Sequence, residues 1–333
     1  MLSWAARTPL NIIGGVGGGK SDSIVEVVGE LNRKVNGGEP YQHWLLPLPT
    51  MEPYELSGPY KLDGTNTPPA WLPFNCAAKG IINLEELDRA EVPTANAALQ
   101  ILLGGCINGN RISDNAHRVC TMNGASDIYT RTLSDAAATR VCHIYTSNTA
   151  HGQLDCWMEW AKEHDVSADH RAFMEFSPPP PSFEDFEELA KDNFRTRAMA
   201  SRIYQASEKM KFRTDDILWP MIAGTIGQAG ATVMQAFLAE GKGLPTPKQV
   251  LAHPATTDVP VKKGQLYLLI TRLCDYIQDD DLPKLGEYLV RIPAEEIVAY
   301  AIRRLHKERP AITKVKVLVE FIKKNARLFI ENA

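Results

Sequence analysis

A glycine-rich stretch near the amino terminus constrains the fold of this chain more than any other feature. Residues 10–13 form a short apolar run, and apolar side chains recur at helical spacing from residue 24 to residue 35. Between them, residues 14–21 fit the pattern GxxxxGK followed by Ser or Thr. A strand, a glycine loop and a helix in this order direct backbone N–H groups at one point, which predicts a phosphate-binding P-loop.

Each part of this loop has a chemical role in that prediction. The glycines allow the backbone to turn its N–H groups inward. Lys20 supplies a positive charge for the β- and γ-phosphates, and the hydroxyl of Ser21 supplies a ligand for Mg²⁺. We therefore expect a nucleotide with Mg²⁺ to bind at Gly14, Gly15, Val16, Gly17, Gly18, Gly19, Lys20 and Ser21.

Two acidic residues, Glu85 and Glu86, follow another apolar run at residues 81–84. A P-loop ATPase needs a carboxylate at the end of a neighbouring strand to hold Mg²⁺, and a second one often deprotonates the attacking water. Glu85 is the candidate for the magnesium role and Glu86 for the general base. Taken without the P-loop, two glutamates after a strand are more often a solvated turn.

Short apolar runs that alternate with helical patterns predict an α/β fold with a parallel sheet covered on both faces. Beyond residue 150 nearly every pattern is helical, and the four prolines at 178–181 are typical of a rigid linker. We predict an α/β nucleotide-binding domain at 1–150, a helical connector with this linker at 151–182, and a helical lid with a C-terminal extension at 183–333.

Composition and charge argue against three classes of protein: nucleic-acid binders, zinc proteins and membrane proteins. The net charge of −4 argues against a dedicated nucleic-acid binder, and none of the six cysteines has the spacing of a zinc site. The chain has no run of about 18 apolar residues and no signal-peptide pattern, so we expect no membrane span and a cytoplasmic location.

Residues 80–90, GIINLEELDRA, resemble the second ATPase motif of MoxR-type AAA+ proteins, which reads apolar-apolar-Asp-Glu-Leu/Ile-Asn-Arg-Ala. Residues 119–123 are similar to the sensor-1 strand of that family, with Asn123 as its polar residue. Residues 133–140 look like the helix that carries its arginine finger, with Arg140 at the end. The resemblance covers residues 8–240 well and the remainder more loosely.

A further part of the resemblance lies in the helical region. Arg197 stands where the family places a sensor-2 arginine that opens a lid helix, although Arg195 and Arg202 are competing candidates. Plain surface roles also remain open for Arg140 and Arg197. Two residues depart from the family pattern: Glu85 stands in place of Asp, and Asp88 stands in place of Asn.

The resemblance implies an AAA+ ATPase domain with a helical lid, ATP and Mg²⁺ as ligands, and a ring, commonly a hexamer, with nucleotide between protomers. Arg140 would then reach the γ-phosphate of the neighbouring protomer, a role worth about 10³–10⁵ in rate where it has been measured. Proteins of this group occur in bacteria and phages, which implies a bacterial or phage-encoded origin.

Three functions remain open from the sequence. The first is a chaperone-like ring ATPase that remodels a partner protein, with a von Willebrand A-domain protein among the candidates. The second is a nucleic-acid motor or loader, which the insertion at residues 50–79 favours less because it offers aromatic residues but few positive charges. The third is an ATP-bound structural or switch protein with little hydrolysis, which the longer side chain of Glu85 favours.

Overall fold

The computed structural model describes residues 2–35, 38–123, 133–146, 150–180, 190–211 and 215–330. The chain divides into two compact units, Met1–Asn148 and Thr149–Ala333. The first unit contains the strands and the second is helical throughout its described part.

The first unit is built on an open parallel sheet. Its strands are β1 (Leu10–Ile13), β2 (Gln42–Pro47), β3 (Gly80–Glu85), β4 (Cys106–Ile107), β5 (Asn110–Arg111), β6 (Ala116–Met122) and β7 (Cys142–Tyr145). Five of them form the parallel sheet in the order β2-β3-β6-β1-β7, and β4 and β5 form a separate antiparallel pair. β3 and β6 are almost wholly buried, as expected of central strands covered on both faces.

Among the described residues of the first unit, five α-helices accompany these strands: α1 (Leu2–Ala5), α2 (Lys20–Arg33), α3 (Pro53–Ser57), α4 (Val92–Leu99) and α5 (Asp135–Ala138). Helix α2 begins directly after Gly19 and buries Ile24 and Val28 against the sheet residues Ile81 and Val119. Helix α4 passes into a π-helical turn, Gln100–Gly104. Because α2 begins at the end of the loop that follows β1, its amino terminus lies at the carboxyl edge of the sheet.

The register of the sheet brings the ends of three strands together. Ile13, the last residue of β1, pairs with Met122 of β6 and Tyr145 of β7. The glycine loop after β1 therefore begins level with the residues that follow β6 and β7. In open α/β sheets, ligands bind in the crevice at this carboxyl edge.

The second unit contains ten helices among its described residues: α6 (Ala150–Glu163), α7 (Ala168–Phe176), α8 (Phe194–Lys209), α9 (Asp215–Glu240), α10 (Pro247–Ala252), α11 (Lys263–Tyr276), α12 (Leu282–Leu289), α13 (Glu295–Glu308), α14 (Lys316–Lys324) and α15 (Arg327–Ile330). Three buried apolar clusters hold them together. The predicted fold class, a parallel α/β sheet followed by a helical region, is thus confirmed.

Helix α9 is the one element of the described chain that is long and apolar enough to cross a membrane by length and composition. It is not a continuous helix, because Gly227 has φ 75° and ψ 162° and interrupts it. Leu218, Ile222 and Phe237 lie buried in a core cluster with residues of other helices. Length and composition alone do not distinguish a membrane-spanning helix from a core helix of a soluble protein.

Candidate functional site

The glycine loop closes over the carboxyl edge of the sheet. The N–H of Gly14 donates to the carbonyl of Met122 at 3.2 Å, and the N–H of Gly18 donates to the carbonyl of Gly15 at 3.3 Å. Gly17 and Gly19 have φ values of 77° and 76°, a region that other residues enter at a cost. The loop geometry therefore requires glycine at these positions independently of any ligand.

Gly14 needs glycine for a steric reason. A Cβ at this position would lie 1.8 Å from Thr146 Oγ1, which follows β7. Thr146 Oγ1 is buried and has no hydrogen-bond partner among the described residues. The start of the loop thus packs closely against the ends of β6 and β7.

Lys20 and Asn123, which are 103 residues apart, meet at this edge. Lys20 Nζ donates to the carbonyls of Gly14 and Gly15 at 2.8 and 2.9 Å, and to Asn123 Oδ1 at 3.1 Å. Asn123 is buried, and its Nδ2 has no partner within the described part of the chain. A buried donor beside a lysine is suited to an incoming oxygen, and a phosphate oxygen fits this arrangement.

Ser21 and Glu85, the two residues predicted to hold Mg²⁺, are also brought together. Ser21 Oγ donates a hydrogen bond to Glu85 Oε1. A hydroxyl and a carboxylate are oxygen ligands of the kind that Mg²⁺ prefers, and Mg²⁺ usually binds proteins through one or two such groups. The donor set therefore fits a magnesium ion held with phosphate oxygens.

Glu86, the predicted base, follows Glu85 in a left-handed conformation with φ 52°. Its N–H donates to Thr121 Oγ1 at 3.2 Å, and its carboxylate forms an ion pair with Arg89 at 3.4 Å. The carboxylate is partly exposed, with 39% of the side-chain area accessible. It is therefore accessible to water at the edge where Ser21 and Lys20 lie.

Asp88 is a site residue whose role the sequence leaves unexplained. It is 2% exposed, and its Oδ2 accepts the N–H of Asn123 at 2.8 Å. Burial raises the pKa of this carboxyl, while the hydrogen bond from Asn123 acts in the opposite direction. The only sequence signal was the departure from the Asn that the MoxR-type motif has before its arginine.

The two predicted arginines lie in different units. Arg140 follows α5 and its side chain is exposed, while its backbone N–H donates to the carbonyl of Ala137 at 3.1 Å. Arg197 is buried in α8 of the second unit, where Nε and Nη2 donate to the two carboxylate oxygens of Asp192 at 2.6 and 2.7 Å. The roles of both arginines in nucleotide chemistry stay predictions.

The sequence matches no family model and no curated protein. Among solved structures it is similar to a protein from Cytophaga hutchinsonii that is described as a proposed ATPase. That likeness has 12% sequence identity and a TM-score of 0.34, and it covers 68% of this chain and 79% of the other.

Proposed function

We propose that this chain is a Mg²⁺-dependent ATPase that uses residues 14–21 as its P-loop. The observation that carries the proposal is the pairing of both key loop residues with the sheet edge: Lys20 with Asn123 and Ser21 with Glu85. Lys20 and Ser21 begin the helix after the glycine loop, Glu85 ends β3, and Asn123 follows β6. Parallel strands bring these three points to one edge of the sheet. The same arrangement of cation, hydroxyl, carboxylate and amide suits a triphosphate with a divalent ion.

The chain's own groups divide the work of hydrolysis. Lys20 is placed to exchange its bonds to the loop carbonyls for bonds to phosphate oxygens, and Asn123 Nδ2 is placed to donate to the terminal phosphate. Ser21 and Glu85 would hold Mg²⁺, which would offset the charge that develops on the phosphate oxygens during transfer. Glu86 accepts the proton of the attacking water.

A finer part of the proposal is assembly. We infer that the protein acts as a ring, of hexameric type, in which Arg140 of one protomer reaches the nucleotide of the next. The side chain of Arg140 is exposed after α5, as a contact with the nucleotide of a neighbouring protomer requires. In this reading the ring remodels a partner protein in the cytoplasm, as the MoxR-type resemblance implies, and ATP turnover drives the change.

Steady-state phosphate release with Mg-ATP across a range of protein concentrations tests these points. Specific activity should rise with concentration, and Glu86→Gln and Arg140→Ala should each abolish it while ATP binding persists. Lys20→Ala should lose binding as well. Activity that is independent of concentration and insensitive to Arg140→Ala would contradict the shared site, and undiminished binding by Lys20→Ala would contradict the P-loop.

A second candidate is a nucleotide-held switch with little hydrolysis. Two observations favour it: Glu85 is one methylene longer than the usual Asp, and the carboxylate of Glu86 is paired with Arg89. Both would slow the activation of water. The switch predicts tight ATP binding without phosphate release, and Arg89→Ala would then raise the rate by freeing Glu86.

A further inference from the structure

Two hydrogen bonds tie the turn after β3 to the end of β6. Asp88 Oδ2 accepts the N–H of Asn123 at 2.8 Å, and Thr121 Oγ1 accepts the N–H of Glu86 at 3.2 Å. In each bond a side chain of one segment holds the main chain of the other. The pair is reciprocal, so the base candidate Glu86 and the amide of Asn123 are fixed relative to each other.

We propose that Asp88 is a positioning residue that sets Asn123, and through it Lys20, for the recognition of the terminal phosphate. This inference rests on the proposed ATPase function. Asn123 lies one residue beyond the last residue of β6, where the sheet no longer fixes its backbone. The bond to Asp88 replaces that restraint, and the amide oxygen of Asn123 then meets Lys20 Nζ at 3.1 Å.

The orientation of the side-chain amide of Asn123, which Asp88 fixes through the backbone, affects how a phosphate oxygen is bound. Because Oδ1 accepts from Lys20, Nδ2 is left as a buried donor without a partner among the described residues. An oxygen that approaches Lys20 would meet this donor, and ATP supplies one more phosphate at that point than ADP does. A shift in the backbone of Asn123 would therefore weaken the preference for ATP over ADP.

A purely packing role for Asp88 agrees less well with its surroundings. Its Oδ1 is buried and has no hydrogen-bond partner in the described chain. A buried carboxylate with one hydrogen bond costs stability, and an apolar side chain of the same shape would avoid that cost. The bond to the N–H of Asn123 is charge-assisted and so is stronger than a neutral one. The carboxylate of Asp88 therefore fits a role in fixing Asn123 better than a role in stabilising the fold.

Two variants of nearly equal size separate positioning from packing. Asp88→Asn keeps an oxygen that can accept the N–H of Asn123, whereas Asp88→Leu fills the space without an acceptor. Dissociation constants for ATP and ADP and the turnover number are measured for each, with Asp63→Ala, at an exposed aspartate, as the control. Thermal unfolding confirms that each variant is folded.

Asp88→Leu should lower the ratio of ADP to ATP dissociation constants by about tenfold, because ATP binding weakens while ADP binding changes little, and it should lower kcat where turnover occurs. Asp88→Asn should retain most of both. Asn123→Ala should have the same effect as Asp88→Leu, and the double variant should be no worse than either. This lack of additivity would show that the two residues act as one unit.

Wild-type nucleotide preference and turnover in a folded Asp88→Leu variant would overturn the inference while leaving the ATPase intact. Equal losses in the Asn and Leu variants would overturn it too, because the acceptor would then be irrelevant. A wild-type protein that binds neither ATP nor ADP would instead defeat the proposed function, and this inference with it.

Discussion

The hydroxyl of Ser21 donates a hydrogen bond to the carboxylate of Glu85, although β1, which precedes the loop and Ser21, is not a neighbour of β3, which ends at Glu85. β6 lies between β1, which leads into the glycine loop, and β3, which ends at Glu85. The register of three strands therefore brings the two oxygens to the same edge of the sheet. Both oxygens would be available there as ligands for a divalent ion.

This arrangement predicts how Mg²⁺ dependence responds to Glu85. Glu85→Gln removes the charge but keeps the size, so the Mg²⁺ concentration for half-maximal ATP binding should rise by about tenfold or more. A magnesium titration at fixed ATP measures this change. Glu30→Gln, an exposed position on α2, is the matched control. An unchanged titration curve would remove Glu85 from the magnesium site.

Two adjacent glycines of the loop should differ in their tolerance of a methyl group. A Cβ at Gly14 would lie 1.8 Å from Thr146 Oγ1, whereas nothing lies within 4 Å of a Cβ at Gly15. Gly14→Ala should therefore lower the free energy of unfolding by about 1–3 kcal/mol, and Gly15→Ala should change it little. Urea unfolding compares the two variants.

Rescue provides the control for that comparison. Thr146→Ala removes the clashing hydroxyl, which has no partner among the described residues, and should by itself be tolerated. Combined with Gly14→Ala it should recover much of the lost stability. Equal destabilisation by Gly14→Ala and Gly15→Ala would show that the contact with Thr146 is not the cause.

The second unit should lose stability as the pH rises toward neutrality because of Glu175. Burial raises the pKa of this carboxyl to about 7, although Arg304 and the hydroxyl of Tyr300 act in the opposite direction. Between about pH 4.5 and pH 7 the unfolded chain releases this proton and the folded chain keeps it. The contribution of Glu175 to stability therefore falls across that window, by on the order of 2 kcal/mol.

Urea unfolding at pH 5 and pH 8 measures this effect. Glu175→Gln cannot ionise, so the variant should show a smaller loss between the two pH values and should be more stable than the wild type at pH 8. Glu163→Gln, at an exposed position on α6, should leave the pH dependence unchanged. A Glu175→Gln variant with the full wild-type loss would contradict the prediction.

Arg197 and Arg195 should differ sharply in their effect on stability. Arg197 is buried and bound through two nitrogens to Asp192, whereas Arg195 on the same helix is exposed. Arg197→Ala leaves a partly buried carboxylate unpaired and should cost about 3 kcal/mol, while Arg195→Ala should stay within about 0.5 kcal/mol. Thermal unfolding tests this difference. An Arg197→Ala variant of wild-type stability but weaker ATP binding would support the nucleotide role instead.

The sequence predicts the strands of the parallel sheet, the loop and the carboxylates because each is encoded locally. Apolar runs and helical spacing between residues 10 and 35 specify strand, loop and helix without reference to the rest of the chain. The pairing of Ser21 with Glu85 then follows from parallel strands that end at one edge. These parts of the site therefore follow from the sequence alone.

The roles of Asp88, Thr121 and Thr146 could not be inferred in this way. The contacts of each residue depend on the order of the strands in the sheet, and that order places the ends of β6 and β7 at the site. Their spacing along the chain carries no periodic signal. The ion pair of Arg197 with Asp192, five residues earlier, depends equally on how the segment before α8 folds back.

Glu86 holds its left-handed backbone at a cost. A φ of 52° is disfavoured for any residue with a Cβ by on the order of 1 kcal/mol, and glycine would adopt it freely. Glycine at this position would relieve the strain but would remove the carboxylate proposed to activate water. Selection for thermal stability and selection for turnover therefore favour different residues at position 86. Laboratory evolution for heat resistance alone should favour glycine there and lower the ATPase activity.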